Sequence, residues 1–407
     1  MTAIIKLNKV KPESEKIKKL FSFFGDQTKQ GKMVWKEGVI YQFEDHESFQ
    51  FGNDVFQRQS QAGNVRYEEI SKKKPLGKGA YGEVKLIKGT TRLDPDAIEF
   101  KKQNSNGERM VVKIQTHTNA HNPLACLYKE HDITKQAGHL NIKNPTVVQK
   151  EDGSHVSYMV MRNLSGCKLS DIIDGKVAIT LQQRIDLSKA LLKALKEQVT
   201  DKNIVHRDIK DDNIKVDLGP PIVVNIYDYG LSMKRNESDG RHVGCPNYFA
   251  PEVMHDALNV NEKADVFSMA RVLALLWNVD YYSYMMMSTY DYYTMALSNN
   301  PDDRTCLLDN LCGGIVGLSD ENKAIIKATL TGMLEPDPKT RLSIGQAIEQ
   351  FDRVMLANKS KKVSTVPGNA GGNFSNSRLF KPSPSIESQN DRSGEGHILD
   401  ASVCKKI

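Results

Sequence analysis

The residues best suited to chemistry lie in two short segments near the middle of the 407-residue chain. Residues 206–213 read HRDIKDDN, and residues 227–230 read YDYG. A carboxylate can accept the proton of an attacking hydroxyl, a lysine can neutralise a migrating phosphoryl group, and carboxylate and amide oxygens can bind Mg²⁺. These are the groups that phosphoryl transfer from ATP requires. The residues of suitable type are Asp208, Lys210, Asn213 and Asp228.

A glycine-rich segment upstream could hold the phosphates of the nucleotide. Residues 76–84 read LGKGAYGEV, and glycines at this spacing let backbone N–H groups approach phosphate oxygens closely. The same G-x-G-x-x-G string occurs in Rossmann turns and in hairpins without ligand, so the motif alone leaves those alternatives open. The predicted ATP contacts in this segment are Leu76, Gly77, Lys78, Gly79, Ala80, Tyr81, Gly82 and Val84.

A lysine and a glutamate between these motifs could place a cation beside the phosphates. Lys113 lies in the strand-like run MVVKIQ at residues 110–115, and Glu130 lies in a predicted helix. An ion pair between them would fix the ammonium, at on the order of 4 kcal/mol before desolvation for charges ~4 Å apart at an intermediate dielectric. The alternative is a solvated lysine on a strand edge.

The elements that must position these residues change character along the chain. Apolar runs at 83–88, 110–115 and 156–161 are strand-like, whereas residues 181–195 have helical periodicity. The sequence therefore predicts an α+β fold in which a sheet-rich part precedes a helix-rich part. Further helices are predicted at 264–277, 321–334 and 343–356.

The order of these motifs resembles that of the eukaryotic-type serine/threonine protein kinases. The shared motifs are the glycine-rich loop, VVK at 111–113, Glu130, HRD at 206–208, DYG at 228–230 and APE at 250–252. The resemblance implies a bilobal protein-kinase-like fold, with a small antiparallel-sheet N-lobe at 66–163 and a larger helical C-lobe at 164–357. An extension of unknown role at 1–65 and a polar tail at 358–407, predicted to be disordered from its composition, would flank it.

The resemblance also implies a role for each chemical group. Asp208 would be the catalytic base, Lys210 a contact to the γ-phosphate, and Lys113, held by Glu130, the contact to the α- and β-phosphates. Mn²⁺ is an alternative to Mg²⁺ as the metal cofactor. The implied metal ligands are Asn213 and Asp228.

A hinge at the end of the 156–161 run would bind adenine. The implied contacts are Val111, Met161, Arg162 and Leu164. Lys215 stands where relatives place an apolar residue beneath the base, so we expect its alkyl stem to cover the ring while the ammonium points outward.

The substrate class follows from the same resemblance. Lys210 is typical of serine/threonine kinases, and the block GCPNYFAPE at 244–252 resembles a peptide-docking surface, which favours protein substrates over small molecules or lipids. Cys245 replaces a hydroxyl residue, and Thr134 replaces an apolar residue of the helix that carries Glu130. Thr134 is expected to loosen the active arrangement, which suggests an activating partner. Together with Lys215, these departures leave a pseudokinase scaffold as the alternative.

Three further residues are expected to have structural or regulatory consequences. Asp265 would hold the backbone of the catalytic loop, and Arg341 would pair with Glu252. Arg241 stands where many relatives carry a phosphorylatable threonine, so switching by phosphorylation at that position is not expected.

Composition excludes several other classes of protein. The net charge is +6 without a basic run, which predicts no nucleic-acid binding. The six cysteines have neither disulfide-framework nor zinc-site spacing, and a reducing cytoplasm is the expected location. No apolar run approaches the roughly 18 residues of a membrane span, so no stable membrane insertion is expected. A loose resemblance to eukaryotic-like kinases secreted by intracellular bacteria makes the host-cell cytosol the alternative location.

Overall fold

Alternating apolar residues in the first part of the chain build an antiparallel sheet, and helical periodicity dominates the second part. The structure is a computed structural model that describes residues 2–10, 14–59, 65–79, 82–93, 110–120, 122–279 and 306–360. The strands of the first part are β1 (Ala3–Ile5), β2 (Val34–Trp35), β3 (Ile40–Gln42), β4 (Ser48–Phe51), β5 (Val55–Gln59), β6 (Val65–Ile70), β7 (Gly77–Gly79), β8 (Gly82–Leu93), β9 (Met110–His117), β10 (Thr146–Gln149) and β11 (His155–Arg162).

The second part carries short strands, in two small sheets, among its helices. Its strands are β12 (Cys167–Lys168), β13 (Ile204–Val205), β14 (Ile214–Asp217), β15 (Val223–Ile226) and β16 (Met233–Lys234). The helices of the whole described chain are α1 (Glu15–Lys29), α2 (Leu124–Ala137), α3 (Leu169–Ile173), α4 (Leu181–Gln198), α5 (Pro251–His255), α6 (Glu262–Leu276), α7 (Asp320–Met333) and α8 (Ile344–Ser360).

The first part of the chain forms one eight-stranded sheet. Its strand order is β10-β11-β9-β8-β6-β5-β2, and β7 pairs with β8. The sheet includes strands from the N-terminal extension, because β5 pairs antiparallel with β6 and sets Val55 opposite Glu69. The extension is therefore continuous with the sheet of the catalytic part. Its outer layer is a three-stranded sheet in the order β1-β4-β3.

Aromatic residues hold the extension together. The apolar residues of α1 recur every three or four positions, which gives the helix one buried face. That face packs against Trp35 and Phe51, and the ring of Phe24 lies 4.7 Å from Trp35. The buried residues of α1 are Ile17, Leu20, Phe23 and Phe24.

The helical part is organised around α6. This helix is buried on nearly all sides, as expected for an apolar helix at the centre of a core. The Asn261 side chain caps its first turn, and a capping box of Thr180 and Gln183 begins α4. The core cluster around α6 extends to α4, α7 and α8.

The predicted α+β class with a sheet before the helices is confirmed. The helices predicted at 264–277, 321–334 and 343–356 correspond to α6, α7 and α8, and α8 ends at Ser360, beyond the predicted domain end at 357. Most of the polar tail, residues 361–407, lies outside the described residues. Within the described ranges, no helix combines the length and apolar composition needed to cross a bilayer.

Candidate active site

The sheet brings the glycine-rich segment next to Lys113. β7 and β8 form a hairpin in which Gly77 faces Val84, and Val84 in turn faces Lys113 of β9. A Cβ added at Gly82 would lie 1.8 Å from the carbonyl oxygen of Ile114, so only glycine permits this close approach of two strands. Leu76 joins the hairpin through its N–H, 2.8 Å from the Val84 oxygen.

Two predicted members of this segment, Ala80 and Tyr81, lie outside the described residues. Lys78 and Gly79 close the described end of β7, where Lys78 faces Glu83 and Gly79 faces Gly82.

The predicted adenine contacts lie on β9, at the end of β11 and just after β11. Val111 faces Met161 across β9 and β11, and Arg162 follows at the end of β11. Leu164 lies just beyond, where its carbonyl oxygen is 3.3 Å from the Nζ of Lys215. The ammonium of Lys215 therefore binds this backbone oxygen instead of only pointing to solvent.

Three charged side chains meet beneath the glycine-rich hairpin. The Nζ of Lys113 lies 2.7 Å from a Glu130 oxygen and 3.2 Å from an Asp228 oxygen. Burial opposes the charge of Lys113, but Asp228 and Glu130 outweigh it and raise the pKa of this lysine. Lys113 in turn holds the pKa of Asp228 below its ordinary range. The ammonium is thus charged and fixed in place.

Helix α2 carries Glu130 into the site. Glu130 is buried, and the hydroxyl of Thr134 donates to its carbonyl oxygen at 2.7 Å. Gly138 ends the helix with a φ of 83°, a conformation that glycine adopts without strain. A Cβ added at Gly230 would lie 3.4 Å from the Glu130 carboxylate, which shows how closely the DYG segment approaches α2.

The buried helix α6 holds the backbone of the catalytic loop, residues 206–213. The carboxylate of Asp265 accepts the backbone N–H groups of His206 at 2.6 Å and of Arg207 at 2.9 Å. This is the contact expected from the sequence. Burial raises the pKa of Asp265 to about 7, and the two N–H groups oppose that shift. Arg207 has a φ of 65°, so the loop is held in a conformation that side chains rarely adopt.

Asp208 follows Arg207 in this loop. One oxygen of its carboxylate has hydrogen-bonding partners and the other has none among the described residues. Its Oδ2 accepts from the Asn213 amide at 2.7 Å and lies 3.0 Å from the Nζ of Lys210. Its Oδ1 is buried and has no hydrogen-bond partner among the described residues. Burial raises the pKa of Asp208, and Lys210 opposes that rise. An oxygen in this state is suited to accept a hydrogen bond from a substrate hydroxyl.

Asn213 and Asp228 are brought together by the β14–β15 hairpin. Ile214 faces Ile226, and the N–H of Tyr227 donates to the Asn213 carbonyl oxygen at 3.0 Å. The side-chain nitrogen of Asn213 is bound to Asp208, so its amide oxygen is the group left for a cation. One amide oxygen and one carboxylate are suitable ligands for a hard divalent cation.

The predicted structural bridge is also present. The two terminal guanidinium nitrogens of Arg341 contact the carboxylate of Glu252, at 2.6 Å and 2.8 Å, and both side chains are buried. Residues 244–252 are called the docking block below, after the resemblance noted above. The bridge links the end of this block to the loop before α8.

Several contacts near the site were not predicted from the sequence. The hydroxyl of Tyr248 donates to Asp211 at 2.7 Å, which joins the docking block to the catalytic loop. The side chain of Arg207 binds Asp239. Both contacts join residues that are more than 30 positions apart in the chain, so local spacing could not pair them.

Comparison with known proteins agrees with this geometry. The protein kinase domain matches residues 70–351. Similar curated proteins include the "Probable serine/threonine-protein kinase MARK-C" of Dictyostelium discoideum, 27 % identical over 56 % of this chain and 28 % of its own length. Others are the CBL-interacting protein kinase 9 of Oryza sativa subsp. japonica, 25 % identical over 68 % of this chain and 54 % of its own length, and the calcium-dependent protein kinase 4 of Plasmodium berghei, 26 % identical over 52 % and 37 %.

The chain spans between about a quarter and little more than half of the length of these relatives. The residues matched by the protein kinase domain include all the site residues described above.

Proposed function

The chain belongs to the protein kinase family, and on that premise we propose that it transfers the γ-phosphoryl group of ATP to serine or threonine hydroxyls of protein substrates. The observation that carries the proposal is the state of Asp208. One of its oxygens is fixed by Lys210 and Asn213, and the other is buried and unpaired. One of the relatives reported above, that of Dictyostelium discoideum, is named a probable serine/threonine-protein kinase, which supports the same acceptor class.

In the proposed reaction, the substrate hydroxyl donates a hydrogen bond to Asp208. The oxygen of this hydroxyl attacks the γ-phosphorus of ATP. The bond between that phosphorus and the β–γ bridging oxygen breaks, ADP leaves, and the hydroxyl proton passes to Asp208. Lys210 lies next to the base and can neutralise charge on the transferred group. Lys113, fixed by Glu130, binds the α- and β-phosphates, while the glycine-rich hairpin covers them.

Asn213 and Asp228 would hold the metal ion, for which Mg²⁺ is the proposed choice and Mn²⁺ the alternative. When bound, such an ion neutralises charge on the phosphate oxygens. Asp228 stays ionised because Lys113 lies beside it, and a charged ligand is what the ion requires.

The proposed adenine site lies between Val111 and the hinge at Met161, Arg162 and Leu164. The Leu164 carbonyl oxygen already accepts from Lys215, which leaves its N–H as the backbone group for the base. The stem of Lys215 then provides the apolar surface beneath the ring.

A protein acceptor is favoured by the packing of the docking block. Tyr248 bridges from this block to Asp211 of the catalytic loop, and its carbonyl oxygen accepts from the Ser268 hydroxyl of α6 at 2.8 Å. The block is thus fixed beside Asp208, where it can present an extended peptide.

The alternative function, a pseudokinase scaffold that binds nucleotide without efficient transfer, is disfavoured by the contacts at the site. The chain has the four side chains that the proposed transfer requires, which are Asp208, Lys210, Asn213 and Asp228. Lys113 and Glu130 are already paired. An activating partner, which Thr134 suggested, stays a prediction.

The function is tested by incubating the purified protein with γ-labelled ATP and Mg²⁺, alone and with a generic basic protein, followed by phospho-amino-acid analysis. Label on serine or threonine, lost when EDTA removes the metal, is the expected result. Nucleotide binding without any labelled protein would support the scaffold instead. Consumption of ATP that requires added metabolites or lipids and yields no phosphoprotein would indicate a small-molecule or lipid substrate.

A further inference from the structure

Three cationic side chains converge on the carboxylate of Asp239. The guanidinium of Arg207 binds both of its oxygens, at 2.7 Å and 2.9 Å. Arg241 binds one of the same oxygens through two nitrogens, at 2.9 Å and 2.7 Å. The ammonium of Lys129 lies 3.6 Å away. Arg207 holds the pKa of Asp239 well below its ordinary range, so the carboxylate is ionised at neutral pH.

Each of these cations belongs to a different part of the site. Arg207 precedes Asp208 in the catalytic loop, and Lys129 precedes Glu130 in α2. Arg241 and Asp239 lie in the segment between the DYG and APE motifs. Asp239 therefore joins the loop that carries the base, the helix that carries the glutamate, and the segment that leads to the docking block.

Arg207 is the member that most needs a counter-charge. Its side chain is only 2 % exposed, and its remaining hydrogen bond goes from Nε to the Leu231 carbonyl oxygen at 2.7 Å. A buried guanidinium without an anion is strongly unfavourable. Without Asp239, this side chain would have to move toward solvent and take the adjoining catalytic loop with it.

The turn after Asp239 is built to keep the carboxylate in place. Gly240 has a φ of 62°, and the Arg241 backbone N–H donates back to Asp239 at 3.2 Å. The segment 229–252 contains only two serines and no threonine. One of them, Ser232, is buried with its hydroxyl bound to the His206 carbonyl oxygen.

We propose that Asp239 is a positioning residue whose fixed negative charge holds Arg207, Arg241 and Lys129 in the arrangement needed for transfer, so that activity requires no phosphorylation of the segment 229–252. The inference rests on the proposed kinase function and names how that same site is regulated. A carboxylate encoded in the chain supplies the anion permanently, whereas an added phosphate would supply it only on demand.

The first test compares Asp239→Asn and Asp239→Glu with wild type in steady-state transfer. The matched control is Glu237→Gln, which removes a neighbouring carboxylate whose own partner, Lys234, is exposed. We expect Asp239→Asn to lower kcat on the order of 10- to 10²-fold through displacement of the loop, with KM for ATP changed by less than about threefold. Asp239→Glu should recover part of the loss because it restores the charge, and Glu237→Gln should match wild type.

An unchanged kcat in Asp239→Asn would overturn the proposal. A parallel loss of nucleotide binding and transfer, not recovered by glutamate, would also overturn it, since that pattern reports general damage to the fold.

The second test needs no variant. Wild-type protein is treated with phosphatase, shown by mass spectrometry to be unphosphorylated, and assayed from the first turnovers. Linear product formation without a lag is expected, whereas a lag removed by prior incubation with ATP would overturn the proposal. Wild type that transfers nothing under either treatment would instead remove the proposed kinase function itself.

Discussion

Lys113 and Glu130 form a 2.7 Å ion pair that joins β9 of the sheet to helix α2. The same ammonium lies 3.2 Å from Asp228, so a single cation contacts both the glutamate of α2 and a proposed metal ligand. Glu130 is buried and Asp228 is partly exposed, so removal of the cation leaves two carboxylates close together without compensation.

Replacement of Lys113 by methionine is therefore expected to remove transfer while the fold persists. Loss of one fixed charge that stabilises the migrating group costs on the order of 10²–10³ in kcat. Steady-state transfer and circular dichroism measure the two effects. The control is Lys85→Met, because Lys85 pairs with Glu83 on the surface of β8. Normal transfer by Lys113→Met would mean that the phosphates bind elsewhere.

The pH dependence of kcat should report the environment of Asp208. Burial raises the pKa of this carboxyl, and Lys210 opposes the rise. The base works only when ionised, so kcat should fall on the acid side, at a pH above that of an ordinary aspartate. In Lys210→Met the opposing cation is gone, and the acid limb should move to higher pH. A limb that stays in place or moves to lower pH would contradict this assignment.

The buried bridge between Arg341 and Glu252 should be a large contributor to stability. Arg341→Met leaves the Glu252 carboxylate buried without a partner, which costs roughly 3–5 kcal/mol of the free energy of unfolding. Urea denaturation measures the change. The control is Lys323→Met, whose partner Asp320 is solvent-exposed, and whose loss should cost less than about 1 kcal/mol. An equal loss in the free energy of unfolding for the two substitutions would show that the buried bridge stabilises the fold no more than an exposed ion pair.

The N-terminal extension should unfold together with the catalytic part. Trp35 is fully buried, and its strand β2 pairs with β5 in the shared sheet. Trp35→Ala should lower the free energy of unfolding by roughly 3–5 kcal/mol and shift one common thermal transition. Phe21→Ala, at a side chain that is 39 % exposed, is the control with little expected effect. Two separate transitions, with only one of them shifted, would show instead that the extension is an independent unit.

The sequence predicted those parts of the site that depend on local pattern. The residues of the HRD and DYG motifs and the lysine of β9 are recognisable by spacing, and the structure brings them together. The Lys113–Glu130 pair could be proposed because strand and helix follow one another closely along the chain.

Contacts that depend on tertiary packing were not predictable. Whether β5 would join β6 is decided by a shared apolar core, since the periodicity of either strand fits other neighbours equally well. Asp239 has no motif around it, and only folding of the segment brings it to Arg207. The contact of Thr134 also depends on the folded helix, in which its hydroxyl donates to the Glu130 carbonyl oxygen one turn earlier. Loosening of the active arrangement by this threonine stays a prediction.

The most direct test of the central claim is the rate of phosphoryl transfer by Asp208→Asn in a single turnover with saturating ATP and Mg²⁺. The amide keeps the shape of the side chain but cannot accept the proton, so the rate should fall by about 10²- to 10⁴-fold, while nucleotide affinity and thermal stability stay close to wild type. A variant that transfers phosphate at the wild-type rate would contradict the assignment of Asp208 as the base and, with it, the proposed mechanism.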